Sequence, residues 1–391
     1  MELNKEGTIG VIGAGTMGSG IAQVAAAAGH RVKVYDTNPA AIEKGNSGLR
    51  LAITKLVEKK KIAAEKGESI LNNVEWTNSL KQFSDCVLVI EAIIEDIDVK
   101  QKLFSDLEKM VAPACVLATN TSSLSITSIA SACKFQERVI GIHFFNPAPV
   151  MPLVEIICGI ATDKQLEKEV KELIDGWGKS TVLARDTPGF IVNRVARPYY
   201  GESIRIYEEG IADTVTIDWA LKEIGGFKMG PFELMDLIGN DINYKVTETV
   251  WTQLFFDDRY KPSLTQKRLY EAKRFGRKSG IGYYDYSAEA KIPEPNRDKI
   301  LGQQICERVV AMLINEAVDA LYLRIASAED LDLAMTKGVN YPKGLLKWCD
   351  ETGAENILER LNYLREEYNE DRYRPSVLLK KMVREKKKFY A

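Results

Sequence analysis

The sequence predicts an α/β doubly wound domain at its N-terminal end, followed by an all-helical domain present in two tandem copies. Three observations carry that prediction. A strand, a glycine-rich turn and a helix open the chain, and apolar strands then alternate with helical stretches to about residue 186. Beyond that point the pattern is helical only, and it repeats itself.

The opening stretch from Thr8 to Gly29 is a short apolar run, the turn Gly13-Ala14-Gly15-Thr16-Met17-Gly18, and an alanine-rich helix that Gly29 ends. Gly13, Gly15 and Gly18 match Gly-x-Gly-x-x-Gly: one glycine for the tight turn, one for approach to a pyrophosphate, one for helix–strand packing. A second strand, Arg31 to Asp36, closes the context that gives the motif its meaning as a Rossmann-type dinucleotide site. Asp36 is expected to accept the ribose hydroxyls and to repel the extra phosphate of NADP, so NAD is the expected cofactor. A polar-faced helix is expected over about 39–66, where Lys55, Lys59, Lys60 and Lys61 more commonly mark a solvated face than a phosphate site.

The alternation resumes with Cys86 to Glu91, a helix over about 99–111, Cys115 to Thr119, and Arg138 to His143. Such continuous apolar strands describe a parallel sheet covered on both faces, with ligands beyond the carboxyl ends of its strands. Glu95 with Lys100, the segment Asn120-Thr121-Ser122-Ser123, and His143-Phe144-Phe145-Asn146-Pro147 all follow strand ends. Only two histidines occur in the 391 residues, so proton chemistry at neutral pH has few candidates. His143, with Glu155 twelve residues on, is the one placed to serve; His30 lies in a turn away from that edge.

Pro188 and Gly189 mark the boundary to the helical region, which opens with a helix expected over about 191–210. The expected division is 1–186 for the NAD domain, 187–286 for the first helical copy, 287–298 for a proline-containing linker, and 299–391 for the second copy. Sliding 191–239 onto 305–353 at a constant offset gives eleven identities, among them Arg194/Arg308, Glu202/Glu316, Asp218/Asp332, Gly230/Gly344 and Asp236/Asp350. Chance would give roughly 3. Asn193 becomes Glu307 in the second copy, which reads as a packing or interface module without catalysis.

Bulk composition excludes more than it selects. With 53 basic against 55 acidic residues there is no global field for nucleic acid or an anionic membrane, so neither is an expected partner. Six scattered cysteines without Cys-x-x-Cys spacing read as reduced and buried, and no metal is expected. No apolar run reaches transmembrane length and a strand starts by about Thr8, which makes the cytoplasm the expected location.

Six motifs in order and spacing resemble those of the NAD-dependent L-3-hydroxyacyl-CoA dehydrogenase family. They are the glycine turn, Asn120-Thr121-Ser122-Ser123-Leu124, His143 to Pro147 with Glu155, Asp186 to Arg194, Met229-Gly230-Pro231-Phe232-Glu233, and Arg277-Lys278-Ser279-Gly280-Ile281-Gly282-Tyr283-Tyr284. The resemblance covers residues 7 to about 285, and the remainder resembles the second C-terminal copy of longer members. It implies reversible oxidation of a (3S)-3-hydroxyacyl-CoA, of short chain such as 3-hydroxybutyryl-CoA, by a homodimer; 3-hydroxyadipyl-CoA or a related hydroxy acid is the alternative. It makes His143 the base, Glu155 its orienting partner, and Ser122 and Asn193 the donors to substrate oxygen. It places Glu95, Lys100, Asn146 and Lys278 near the nicotinamide half of NAD, and Lys60 near the coenzyme A phosphates. A non-catalytic protein on this scaffold would have shed those residues, and all are present.

Overall fold

The computed structural model describes residues 6–390, and the chain forms two compact units, 1–187 and 188–391. The first is built on one sheet of eight strands: β1 (Thr8–Ile12), β2 (Val32–Tyr35), β3 (Val74–Thr77), β4 (Cys86–Glu91), β5 (Val116–Thr119), β6 (Val139–Phe144), β7 (Leu153–Cys158) and β8 (Ser180–Arg185). Their order is β3-β2-β1-β4-β5-β6-β7-β8, so the chain runs outward one way from β1 and then returns to β4 on its other side. That reversal opens a crevice beyond the carboxyl ends of β1 and β4. The helices are α1 (Thr16–Ala27), α2 (Pro39–Glu58), α3 (Ala64–Asn72), α4 (Ile97–Met110), α5 (Ile126–Ala130) and α6 (Lys164–Gly176). β5 and β6 are buried throughout, and β1 and β4 at all but one position each, as expected of strands covered on both faces.

Two expectations need correction here. The sheet is mixed: β7 runs antiparallel to β6, because residues 145–152 are too few for a helical crossover and allow only a direct return. The single helix expected over 39–66 is two, since Lys60 turns left-handed (φ 53°) and the amide of Lys61 reaches back to the carbonyl of Leu56. This is the usual glycine-type helix stop made without glycine.

His30 packs inside this unit. Trp177 Nε1 donates to its Nε2 at 2.9 Å and its Nδ1 faces the carbonyl of Gly7 at 3.3 Å, which fixes the neutral Nδ1–H form. Burial lowers its pKa, with the Gly7 bond opposing. The unfolded chain therefore takes up this proton first, and the stability His30 confers is full above about 6.5 and lost as pH falls below it. Thermal melts should show a steeper loss between pH 7 and 5 for the wild type than for His30→Gln, with turnover unchanged; parallel profiles would refute the assignment.

The second unit holds α7 (Val192–Val195), α8 (Arg197–Glu208), α9 (Thr214–Trp219), α10 (Pro231–Ile238), α11 (Asn240–Gln253) and α12 (Leu264–Glu271). After residues 287–298, which contain no helix or strand, come α13 (Lys299–Tyr322), α14 (Ala328–Gly338), α15 (Leu345–Thr352), α16 (Ala354–Tyr368) and α17 (Val377–Glu385). The helix expected over 191–210 is interrupted between α7 and α8, where Pro198 brings no amide hydrogen to the ladder. Met312 stands at the corresponding position of the second copy, and α13 runs on unbroken.

The copies pack through α8 and α13 and exchange buried charges. Arg194 Nε donates to Glu316 at 2.8 Å, and Arg308 Nε donates to Glu202 at 2.6 Å. The hydroxyls of Tyr260 and Tyr373, each ending a repeated Asp-Arg-Tyr turn, donate to Glu316 and Glu202 respectively. A second device recurs within each copy. Asp218 accepts from the amides of Phe232 and Glu233 and from the Tyr284 hydroxyl; Asp332 accepts from Leu346, Lys347 and Tyr390. Burial pushes the Asp218 carboxyl up to about 7 against the pull of those donors.

Candidate active site

The glycine turn lies at the crevice. Gly13 has φ 105°, and a Cβ there would come within 2.5 Å of the Ala92 carbonyl oxygen; one on Gly18 would lie 1.8 Å from the Gly13 carbonyl oxygen. Around Gly15 nothing stands within 4 Å of that position, so a ligand can approach its backbone. Gly15 caps α1 without a side chain and the first turn carries no acid, which leaves the helix N-terminus suited to phosphate. A cavity of about 760 Å³ opens beside it, lined by Gly13, Gly15, Thr16, Met17, Asp36 and others. Asp36 accepts from the amides of Ala14 (2.9 Å) and Asn38 (2.9 Å), so the carboxylate that faces the cavity also braces the turn. Ala14 is buried and contributes through that amide. Open space at Gly15, an uncapped helix end and a carboxylate at the end of β2 fit the adenosine diphosphate half of NAD.

The sequence reading missed the apolar wall of this cavity: Ile93, Ile94, Val99 and Leu103. Two adjacent isoleucines just past the end of an apolar strand were its available signal.

Along the same edge the strand ends are wired together. Glu91, fully buried at the end of β4, accepts from Lys100 Nζ (2.5 Å), the Ile93 amide (2.7 Å) and the Thr119 hydroxyl (2.7 Å). Lys100, expected as a ligand contact, is 1% exposed and reaches the edge through Glu91 and, at 3.4 Å, Glu95. Burying an ammonium requires such partners, which is why it lies beneath the surface rather than on it. Glu95 Oε1 in turn accepts from the Thr121 hydroxyl (2.5 Å) and from the amides of Ser122 (2.9 Å) and Ser123 (3.1 Å). Burial works against its charge, but Lys100 and these donors outweigh it and hold the carboxyl below its ordinary range. Glu91 was not foreseen as part of the site.

His143 and Glu155 are direct cross-strand partners in the β6–β7 pair, and the short antiparallel return is what brings residues twelve apart face to face. His143 Nδ1 lies 2.6 Å from Glu155 Oε2, with the imidazole 5% exposed and the carboxylate fully buried. A proton on Nδ1, shared with Glu155, puts the basic lone pair on Nε2. The next residue ties this strand to its neighbour, because the Phe144 amide donates to Asn120 Oδ1 at 2.8 Å. Ser122 follows β5 and His143 is the penultimate residue of β6 on one edge of the sheet, and the exposed Asn146 follows in the β6–β7 connection.

The remaining expected residues stand elsewhere. Lys60 is exposed at the end of α2. In the second unit, Asn193 lies in α7 and its carbonyl accepts from Arg197 Nε at 2.8 Å, while Lys278 pairs with Asp241 at 2.6 Å.

Comparison with known proteins identifies the family. Residues 8–187 match the profile of the 3-hydroxyacyl-CoA dehydrogenase NAD-binding domain; 189–286 and 305–389 each match that of the 3-hydroxyacyl-CoA dehydrogenase C-terminal domain. The chain is 38% identical to the 3-hydroxyadipyl-CoA dehydrogenase of Escherichia coli K12 over 95% of its own length and 96% of that protein's. It is 41% identical to the 3-hydroxybutyryl-CoA dehydrogenase of Clostridioides difficile, over 71% of this chain and 99% of the relative. Among solved structures it is similar to a 3-hydroxybutyryl-CoA dehydrogenase from E. coli K12, with a TM-score of 0.93 at 38% identity, covering 97% of this chain and 98% of the other.

Proposed function

Since the chain belongs to the 3-hydroxyacyl-CoA dehydrogenase family and is an NAD-dependent oxidoreductase, we propose that it oxidises short-chain (3S)-3-hydroxyacyl-CoA reversibly to 3-oxoacyl-CoA, with His143 as general base. The buried cross-strand pair of His143 and Glu155 is the observation that carries the reading. When bound, NAD supplies the hydride acceptor. His143 takes the substrate hydroxyl proton on Nε2, and Glu155 holds Nδ1–H in place and stabilises the imidazolium that forms. Ser122 and Asn193 donate to the substrate oxygen as negative charge develops there. Gly13, Ala14, Gly15, Thr16, Met17, Gly18 and Asp36 hold the adenosine diphosphate half, and Glu95 and Asn146, with Lys278, face the nicotinamide half. Lys100 acts through Glu95, and Lys60 meets the phosphates of coenzyme A. The second helical copy, with Glu307 in place of Asn193, does no chemistry.

A second substrate has a specific observation behind it: the relative that spans nearly the whole chain bears the name of a 3-hydroxyadipyl-CoA dehydrogenase. Comparing kcat/KM for 3-hydroxybutyryl-CoA and 3-hydroxyadipyl-CoA decides between them. The reaction class is tested by NADH consumption, expected with acetoacetyl-CoA and absent with free acetoacetate. Equal rates on the two would overturn the thioester reading. Unpaired cysteines suit a reducing compartment, and the cytoplasm is the proposed location; no helix among the described residues is long and apolar enough to cross a membrane. The proposed assembly is a homodimer, tested by sedimentation of the purified chain.

A further inference from the structure

We propose that Asp186 is a positioning residue for the reaction, clamping the downstream end of the loop that presents Ser122; this rests on the reading of Ser122 given above. Its carboxylate reaches back some sixty residues. Oδ2 accepts from the Ser125 hydroxyl at 2.8 Å and the Thr127 amide at 2.7 Å, and Oδ1 accepts from the Ile126 amide at 3.0 Å. Those three donors open α5, a helix of five residues that already has its own cap, because Ser125 Oγ accepts from the Ser128 amide at 3.1 Å. That cap meets only the Ser128 amide, and Asp186 accepts from the two amides before it, which the short helix itself leaves without acceptors. Because the carboxylate comes from a distant segment, these bonds also fix the place where the loop ends.

The upstream end is fixed by other means. Asn120 accepts from Phe144 beside the base, and Glu95 gathers Thr121, Ser122 and Ser123. Thr121 Oγ1 also accepts from the amide of Leu124 at 2.9 Å, which stiffens the span between the two carboxylates. Glu95 thus holds one side of Ser122 and Asp186 the other. A donor that stabilises developing charge is effective only at a defined place, and a displacement of about 1 Å can cost on the order of a hundredfold in rate. Asparagine at 186 would set an amide N–H against these donors and lose at least one of the bonds. Asp186 also stands one residue before the end of the first unit.

The test measures kcat and KM for acetoacetyl-CoA, NADH affinity by fluorescence titration, and thermal melting, for Asp186→Asn, Ser122→Ala and Asp163→Ala. Asp163 caps α6 through the Gln165 amide, and alanine there reports what loss of a helix cap does by itself. Asp186→Asn should lose roughly 10–100-fold in kcat, with KM and NADH affinity each changed less than about threefold. Its melting temperature should fall no more than that of Asp163→Ala, which keeps wild-type kcat. An Asp186→Asn variant with wild-type kcat beside a slow Ser122→Ala overturns the inference alone, as does an equal loss of NADH affinity. Wild-type kcat in Ser122→Ala overturns the underlying reading and the inference with it. Should Asp186→Asn fail to fold, Ser125→Ala removes one donor to Asp186 together with the cap on the Ser128 amide, and loss of a cap alone is what Asp163→Ala reports; it should show the same split with a loss of roughly 3–10-fold, and an unchanged kcat there is equally fatal.

Discussion

Replacing His143 by glutamine should lower turnover with acetoacetyl-CoA by about 10²–10⁴-fold and leave NADH affinity within about twofold. The imidazole lies one residue before the end of β6, and the glycine-turn cavity lies beyond β1 and β4, so the two functions draw on different residues. Glutamine can still receive a hydrogen bond, but it cannot take the hydroxyl proton and hold it as a cation beside Glu155. Glu155→Gln should fall in the same direction, because a neutral amide no longer stabilises the imidazolium, and loss of the buried carboxylate frees the ring to turn. Steady-state kinetics and a fluorescence titration with NADH read the two effects separately. Near-normal turnover in His143→Gln would remove the base from the scheme.

Glu316→Ala should be the most destabilising substitution in the helical unit, by about 3–5 kcal/mol. Glu316 is 1% exposed and receives Arg194 Nε, the Tyr260 hydroxyl and, at 3.5 Å, Arg259. Removing the carboxylate leaves the Arg194 guanidinium of α7 and the Tyr260 hydroxyl without their acceptor on α13. Removing both charges, as Arg194→Leu with Glu316→Leu, should recover part of the loss, since the stranded ion and not the missing attraction carries the cost. Lys109→Ala, which breaks an exposed pair with Asp106, is the control and should change stability by less than about 1 kcal/mol. Denaturant unfolding of the three variants gives the comparison; a Glu316→Ala loss as small as the control's would refute it.

Features carried by contiguous residues were legible in the chain. The glycine turn and its flanking strands are one such run, and the base stood out because histidine is so rare. The β7 direction was not legible from apolar pattern alone, although the eight residues between β6 and β7 were enough to exclude a crossover. Lys100 was expected beside the nicotinamide, and nothing local marks Glu91 as its partner; that pairing exists only once β4 and α4 are folded together. The repeat shows a similar limit. Arg194, Glu202, Arg308 and Glu316 were all visible as repeated identities, yet identity alone cannot say that each arginine takes the glutamate of the other copy. The break before Pro198 did not show in a reading that expected one helix over 191–210, because the amphipathic pattern on either side masked it.

The exchange of arginines and glutamates has a kinetic meaning as well. Residues 287–298 keep the two halves of this core on one tether, so their encounter is a first-order event governed by the tether's reach. Two separate chains would have to find each other at a rate set by dilution, with charged residues and the faces of α8 and α13 in water until they met. Joined in one chain, the halves pair equally fast however scarce the protein is.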